Sequence, residues 1–190
     1  MQLSDRFRQA FDFAFQLHKD QGRKGSQTPY LAHLMAVAAL VIEDGGSEDE
    51  AIAGLLHDGP EDQGGEAVLD QIEMKFGVRV ARIVEGCTDT LETPKPPWRQ
   101  RKERYLAHLP SASVQVRRVS LADKLHNAST ILADYRLMGD KVWERFRGGK
   151  DGTLWYYRTL RDEFLKDGRS PMALELDRIL SEIDNLVEPD

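Results

Sequence analysis

Apolar residues recur at helical spacing along nearly the whole chain of 190 residues, and no other feature constrains the fold as strongly. In the first segment they form one helical face, which consists of Leu3, Phe7, Ala10, Phe11, Ala14 and Leu17. The alternating pattern of a half-buried strand is nearly absent. The sequence therefore predicts an all-α fold, and its length suits a single-domain helical bundle.

Capping residues mark several of the predicted helix boundaries. Residues 47–50 (SEDE) have the spacing of a capping box, in which a serine and a glutamate satisfy backbone groups reciprocally. Thr28 before Pro29, and Ser170 before Pro171, have the order of an N-cap followed by proline in the first helical turn. We predict one domain over residues 1–165 and a helical extension, residues 166–190, that packs on it.

Composition narrows the classes of partner and compartment. Asp and Glu total 32 against 26 Lys and Arg, which gives a net charge of −6 and argues against broad nucleic-acid binding. Cys87 is the single cysteine, so no intrachain disulfide can form. The chain has no apolar run approaching the roughly 18 residues of a membrane span. We expect a cytoplasmic protein that binds neither nucleic acid nor membrane.

The sequence LLHDGPED is the strongest candidate for chemistry. His57 and Asp58 offer one imidazole nitrogen and one carboxylate oxygen to a divalent cation. Glu61 and Asp62 follow within the next four residues, where they could orient a water or move its proton. Pro60 predicts a kink or an end of the helix beside it. The alternative reading is a solvated acidic helix end, with the His-Asp pair as a C-terminal cap.

Three further residues lie on helical faces that favour a shared centre. His33 is within an apolar helix, where it is either a ligand or a hydrogen-bonded core residue. Asp123 lies in an apolar register, so burial requires a cation or a salt bridge. Asn127 follows on the same face and could bind a ligand or cap a bend. With His57 and Asp58, this set supplies two nitrogens and two oxygens, which suit Mn²⁺, Fe²⁺ or Zn²⁺.

The order His33, His57-Asp58, Asp123 matches the H…HD…D pattern of HD-domain metal phosphohydrolases. Four segments resemble, in order, the hydrolase domain of the RelA/SpoT enzymes: RKGSQTPYLAH, LLHDGPED, FGVRVARIVEGCTD and SLADKLHN. They also resemble the small alarmone hydrolases. The resemblance runs from about Phe13 to about Leu160 and implies the helical bundle of the HD superfamily.

The resemblance also implies roles for particular residues. The metal ligands would be His33, His57, Asp58 and Asp123, with Mn²⁺ or another divalent cation. The catalytic pair beside the hydrolytic water would be Glu61 and Asp62. The substrate-binding residues would be Arg23, Lys24, Lys102, Asn127 and Tyr156. Physical reasoning agrees, because an acidic protein needs local cations to hold a highly anionic nucleotide.

The implied activity is metal-dependent hydrolysis of guanosine 3′,5′-bis(diphosphate) (ppGpp) or its pentaphosphate, with release of pyrophosphate from the 3′ position. One alternative keeps the centre but acts on another phosphorylated nucleotide, such as NADPH. A second is a non-catalytic nucleotide-sensing module, although such a module has no need of an intact set of ligands and carboxylates. The expected partner is a small guanosine nucleotide, and a homodimer is compatible with the sequence.

Overall fold

Helices account for all the regular secondary structure in the residues that the computed structural model describes, 2–168 and 170–188. The α-helices are α1 (Asp5–His18), α2 (Leu31–Glu43), α3 (Glu48–Leu56), α4 (Gly59–Gln63), α5 (Glu66–Phe76), α6 (Val78–Cys87), α7 (Trp98–His108), α8 (Val114–Met138), α9 (Gly149–Leu165) and α10 (Pro171–Val187). Short 3₁₀ helices span Leu109–Ser111 and Gly139–Arg145. The predicted all-α fold is confirmed. Within the same ranges, no helix combines the length and apolarity needed to cross a bilayer.

Local capping explains where two of these helices begin. The Ser47 side chain accepts a hydrogen bond from the Glu50 backbone N–H, and the Glu50 carboxylate accepts one from the Ser47 backbone, which completes the predicted capping box of α3. Ser170 accepts from the backbone N–H of Ala173 at the start of α10. Both predicted starts are confirmed, because a cap depends only on residues one turn apart.

The predicted start of α2 at Thr28 is wrong, since the helix begins at Leu31. The backbone N–H of Arg23 donates to the Thr28 carbonyl at 2.8 Å, and that of Tyr30 donates to the Gln21 carbonyl at 2.8 Å. These antiparallel bonds keep the segment before α2 non-helical. They also hold Gln21 and Arg23 beside the first turn of the helix.

The described chain divides into two compact units. The first contains residues up to Pro96 together with Ala112–Ala122, so it holds α1 to α6 and the beginning of α8. Its central element is α3, in which residues 50–56 are all buried and which packs against α1, α2 and α6. The core of this unit thus surrounds the helix that leads to His57.

The second unit contains Pro97–Ser111 and the described residues from Asp123 onward. Helix α9 packs against α7 and α10 within it. The Trp98 ring lies so close to the start of α9 that a Cβ on Gly148 would meet it at 2.6 Å. The division at residue 165 stays a prediction, and residues 1, 169, 189 and 190 of its two ranges lie outside the described residues.

Candidate metal centre and its surroundings

A break between two helices brings His57 and Asp58 to the edge of the core. Helix α3 ends at Leu56, and Asp58 is the N-cap residue of α4. Pro60 is tolerated in the first turn of α4 because the N–H that proline lacks would have no helical partner there. The predicted interruption beside Pro60 is confirmed.

Three side chains converge at this break. The Nε2 atom of His57 lies 3.0 Å from Asp58 Oδ2, and that of His33, on α2, lies 3.5 Å from the same oxygen. One ligand atom from each residue falls within 4.8 Å of the others. Both histidines are buried and Asp58 is half-buried. The structure therefore brings together three of the four predicted metal ligands.

The hydrogen bonding of His57 tests whether this cluster suits a cation. Its Nδ1 lies 2.9 Å from the carbonyl oxygen of Gly54, and a carbonyl can only accept, so Nδ1 carries the proton. In a neutral ring, Nε2 then presents a lone pair to the Asp58 carboxylate. Two acceptors at that distance repel each other unless a proton or a cation lies between them, and a divalent cation is one group that meets this need. The donor set fits a metal site.

Tyr30 supports the cluster from the residue preceding α2. Its hydroxyl donates to Asp58 Oδ2 at 2.5 Å, and its ring meets that of His33 edge-on. The Arg23 guanidinium lies 5.6 Å from the centre of the Tyr30 ring. The structure thus places Arg23, a predicted substrate-binding residue, near the cluster through a tyrosine that the sequence reasoning missed. The sequence feature that indicates a role for Tyr30 is its position one helical turn before His33.

Glu61 and Asp62 are each held from outside their own helix. Lys95 forms an ion pair with Glu61 Oε1 at 3.0 Å, and Gln21 donates from Nε2 to Asp62 Oδ2 at 2.8 Å. Exclusion of water by neighbouring atoms raises the pKa of the Asp62 carboxyl above its ordinary value, and the Asp58 charge raises it further. No local pattern predicted Lys95 or Gln21, because both are distant in sequence from the carboxylates they contact.

Asp123, the fourth predicted ligand, belongs to the second unit. It is buried there, with Oδ2 paired to Lys124 Nζ at 2.6 Å and Oδ1 accepting from Asn127 Nδ2 at 2.5 Å. The salt bridge that the sequence left open as an alternative is therefore present. The roles of Asp123 as a ligand and of Asn127 as a substrate contact stay predictions.

Two other predicted substrate residues are neighbours in the second unit. The Lys102 ammonium lies 4.9 Å from the centre of the Tyr156 ring. The Tyr156 hydroxyl is buried, and burial raises its pKa well above the ordinary value for tyrosine. Lys24, by contrast, is exposed in the segment before α2. Lys102 and Tyr156 thus form a cation–π pair.

A family model described as an HD domain matches residues 10–154, which is more than half of the chain. The chain belongs to the HD-domain family. HD-domain hydrolases depend on a divalent metal, and the cluster of His33, His57 and Asp58 fits one. The predicted HD-domain phosphohydrolase is confirmed.

Curated relatives carry a more specific name. The guanosine-3′,5′-bis(diphosphate) 3′-pyrophosphohydrolase MESH1 of Xenopus tropicalis is 40% identical over 142 residues, which are 73% of this chain and 74% of the relative. The MESH1 of Homo sapiens is 38% identical over 142 residues, which are also 73% of this chain and 74% of the relative. The MESH1 of Drosophila melanogaster is 28% identical over 179 residues, 93% of each chain. The predicted resemblance to small alarmone hydrolases is confirmed.

Solved structures agree on the architecture. A metazoan orthologue of SpoT, described as hydrolysing ppGpp and acting in starvation responses, superposes with a TM-score of 0.78 over 96% of this chain and 98% of its own. At 24% identity, this match shows the fold. A protein of Listeria monocytogenes EGD-e matches at 26% identity with a TM-score of 0.70, over 80% of this chain and 97% of its own. Together with the HD-domain match, these superpositions confirm the predicted HD-superfamily fold.

Proposed function

We propose that this HD-domain protein hydrolyses guanosine 3′,5′-bis(diphosphate), or the corresponding pentaphosphate, and releases pyrophosphate from the 3′ position. The observation that carries the proposal is the cluster of His33, His57 and Asp58 in a chain 40% identical to a protein named for this reaction. Water adds to the phosphorus next to the 3′ oxygen, and the bond between that oxygen and phosphorus breaks. The products are pyrophosphate and the nucleoside 5′-diphosphate or 5′-triphosphate.

Manganese is the proposed ion. Two imidazole nitrogens and one carboxylate oxygen form a mixed ligand set that suits Mn²⁺, and Asp123 is the proposed second oxygen ligand. When bound, such an ion lowers the pKa of water and polarises a phosphoryl oxygen. The Gly54 carbonyl keeps His57 in the tautomer whose Nε2 can act as a ligand. The Tyr30 hydroxyl fixes the Asp58 carboxylate by its hydrogen bond.

Glu61 and Asp62 are the proposed catalytic carboxylates. Lys95 holds Glu61 through Oε1, and Gln21 holds Asp62 through Oδ2. Asp62 is proposed to take a proton from water and later give it to the departing 3′ oxygen. In this scheme, Asp62 moves the proton and Glu61 orients the water.

Five residues are proposed to bind the nucleotide. The ligand carries two diphosphates, so an acidic chain needs cations at the points of contact. The proposed contacts are Arg23, Lys24, Lys102, Asn127 and Tyr156. Their chemistry supports this role for the cations and the amide, because guanidinium and ammonium groups bind phosphate oxygens and an amide both donates and accepts hydrogen bonds. A homodimer and a cytoplasmic location remain part of the proposal.

The test is turnover across a panel of nucleotides that includes ppGpp and NADPH, with Mn²⁺ present. We expect ppGpp to be consumed, EDTA to stop the reaction, and Asp58→Asn to reduce kcat by at least about a hundredfold. Asp70→Asn is the matched control, because Asp70 is exposed on α5. Turnover of NADPH alone would overturn the substrate assignment. Full activity of Asp58→Asn would overturn the metal centre.

A further inference from the structure

Gln21, in the turn after α1, connects Asp62 with a buried histidine that the proposed reaction does not use. Its side-chain Nε2 donates to Asp62 Oδ2 at 2.8 Å. Its Oε1 lies 2.7 Å from His18 Nδ1 and accepts a hydrogen bond from Gln63 Nε2 at 2.5 Å. One amide thus contacts a proposed catalytic carboxylate on one side and two nitrogen donors on the other.

These contacts allow only one orientation of the amide. Asp62 is an acceptor when ionised, so the group facing it must be the NH₂ of Gln21. The Gln21 oxygen then faces His18 Nδ1, which must therefore carry a proton. A flipped amide would place an acceptor against the ionised Asp62 carboxylate. The surrounding residues therefore fix the direction in which Gln21 presents its N–H.

His18 is itself held rigidly. Its side chain is 1% exposed, and its ring stacks on that of Tyr30 with centres 5.3 Å apart and planes 18° apart. The Tyr30 hydroxyl donates to Asp58. A continuous series of contacts thus runs from Asp62 through Gln21, His18 and Tyr30 to Asp58. The carboxylates of Asp58 and Asp62 thus share supporting residues that lie outside α4.

We propose that Gln21 is a positioning residue for the hydrolysis and that it acts through Asp62. The inference rests on the proposed function, because it takes Asp62 as the group that moves the proton. Gln21 orients this carboxylate without touching the nucleotide in our assignment of substrate contacts. Its loss should therefore lower kcat and leave KM nearly unchanged.

The test compares two substitutions on the same stretch of chain. Gln21→Glu keeps the size of the side chain but replaces the donor with a second carboxylate. Gln16→Glu is the matched control, because Gln16 is exposed on α1 and the charge change is the same. We expect Gln21→Glu to lower kcat about tenfold with KM within about twofold of wild type. Mn²⁺ affinity of Gln21→Ala should stay close to that of wild type, while its thermal midpoint should fall by roughly 2–4 °C because the buried His18 loses its hydrogen-bond partner.

A second comparison shows whether the effect passes through Asp62. In an Asp62→Asn background, Gln21→Glu should cause no further loss of kcat, because residues that act as a unit are not additive. An equal fold-loss in both backgrounds, or an unchanged kcat in Gln21→Glu, would overturn the inference. Full activity of Asp62→Asn would overturn it too, while leaving the hydrolase function intact.

The wild-type enzyme separates this inference from the proposed function. Failure of the wild type to turn over any nucleotide would refute the proposed function. In that event, urea unfolding of the wild type, Gln21→Glu, Asp62→Asn and the double variant still decides whether Gln21 and Asp62 are coupled. Additive effects on the free energy of unfolding would overturn the positioning contact, and a coupling of the two substitutions would support it.

Discussion

Gly54 is the position at which a single added carbon should disturb both the core and the metal centre. A Cβ there would lie 3.2 Å from the Cα atom and 3.3 Å from the backbone nitrogen of Ala38. Those atoms belong to the α2 backbone and cannot avoid the contact by a rotamer change. Because α2 carries His33 and α3 leads to His57, Gly54→Ala should separate the two histidines by a few tenths of an ångström.

Two opposing effects determine how much Gly54→Ala should change the free energy of unfolding. Alanine in a helix is favoured over glycine by about 1 kcal/mol. Overpacking a tight core costs about 1–3 kcal/mol, and we take the middle of that range because the contact is with backbone. The free energy of unfolding should therefore fall by about 1 kcal/mol. For a chain of this length, the thermal midpoint should drop by roughly 2–4 °C.

Urea unfolding and a Mn²⁺ titration measure the two consequences. Ala39→Gly, at an exposed position of α2, calibrates the helix term alone and should cost about 1 kcal/mol. Gly54→Ala should also weaken Mn²⁺ binding, which Ala39→Gly should not. A Gly54→Ala variant that is about 1 kcal/mol more stable than wild type would refute the close-packing argument, because only the helix term would then operate.

Three further predictions concern contacts away from the metal ligands. Burial raises the pKa of Glu50, but hydrogen bonds from Ser47 and Arg118 outweigh it and hold the pKa below its ordinary 4.5. The ionised Glu50 carboxylate therefore stabilises the folded state fully above pH 4.5, and this stabilisation is lost as the pH falls through the lowered pKa of the folded state. Glu50→Gln should reduce the free energy of unfolding by about 1–3 kcal/mol at neutral pH and by less in acid. Ser170→Ala removes the α10 cap and should cost about 1 kcal/mol in urea unfolding. The ion pair of Lys95 with Glu61 is partly exposed, so Lys95→Gln should change the free energy of unfolding by less than about 1 kcal/mol. It should still lower kcat, because Glu61 loses the partner that holds its carboxylate.

Helix starts were predictable where the capping residues are local. The SEDE box of α3 and the Ser170 cap of α10 each involve residues within one turn, and the structure has both. The start of α2 was misplaced because backbone hydrogen bonds with Gln21 and Arg23, on the other side of a turn, keep the preceding segment out of the helix. A local pattern contains no information about such pairing.

The residues of the candidate site also fall into those that the sequence predicts and those that it does not. His33, His57 and Asp58 could be found from the sequence because their side chains recur in a pattern that matches a known family, and the structure brings them together. The residues that orient the acidic groups could not, since Gln21 lies 41 residues from Asp62 and Lys95 lies 34 from Glu61. Only folding makes them neighbours.

The products of ppGpp hydrolysis test the central claim most directly. Purified protein with Mn²⁺ should convert ppGpp into pyrophosphate and guanosine 5′-diphosphate in equal amounts, as resolved by ion-exchange chromatography. Addition of EDTA should stop the formation of both products together, and the His57→Ala variant should form neither product at a measurable rate. Release of inorganic phosphate in place of pyrophosphate, or equal turnover with EDTA present, would contradict the account.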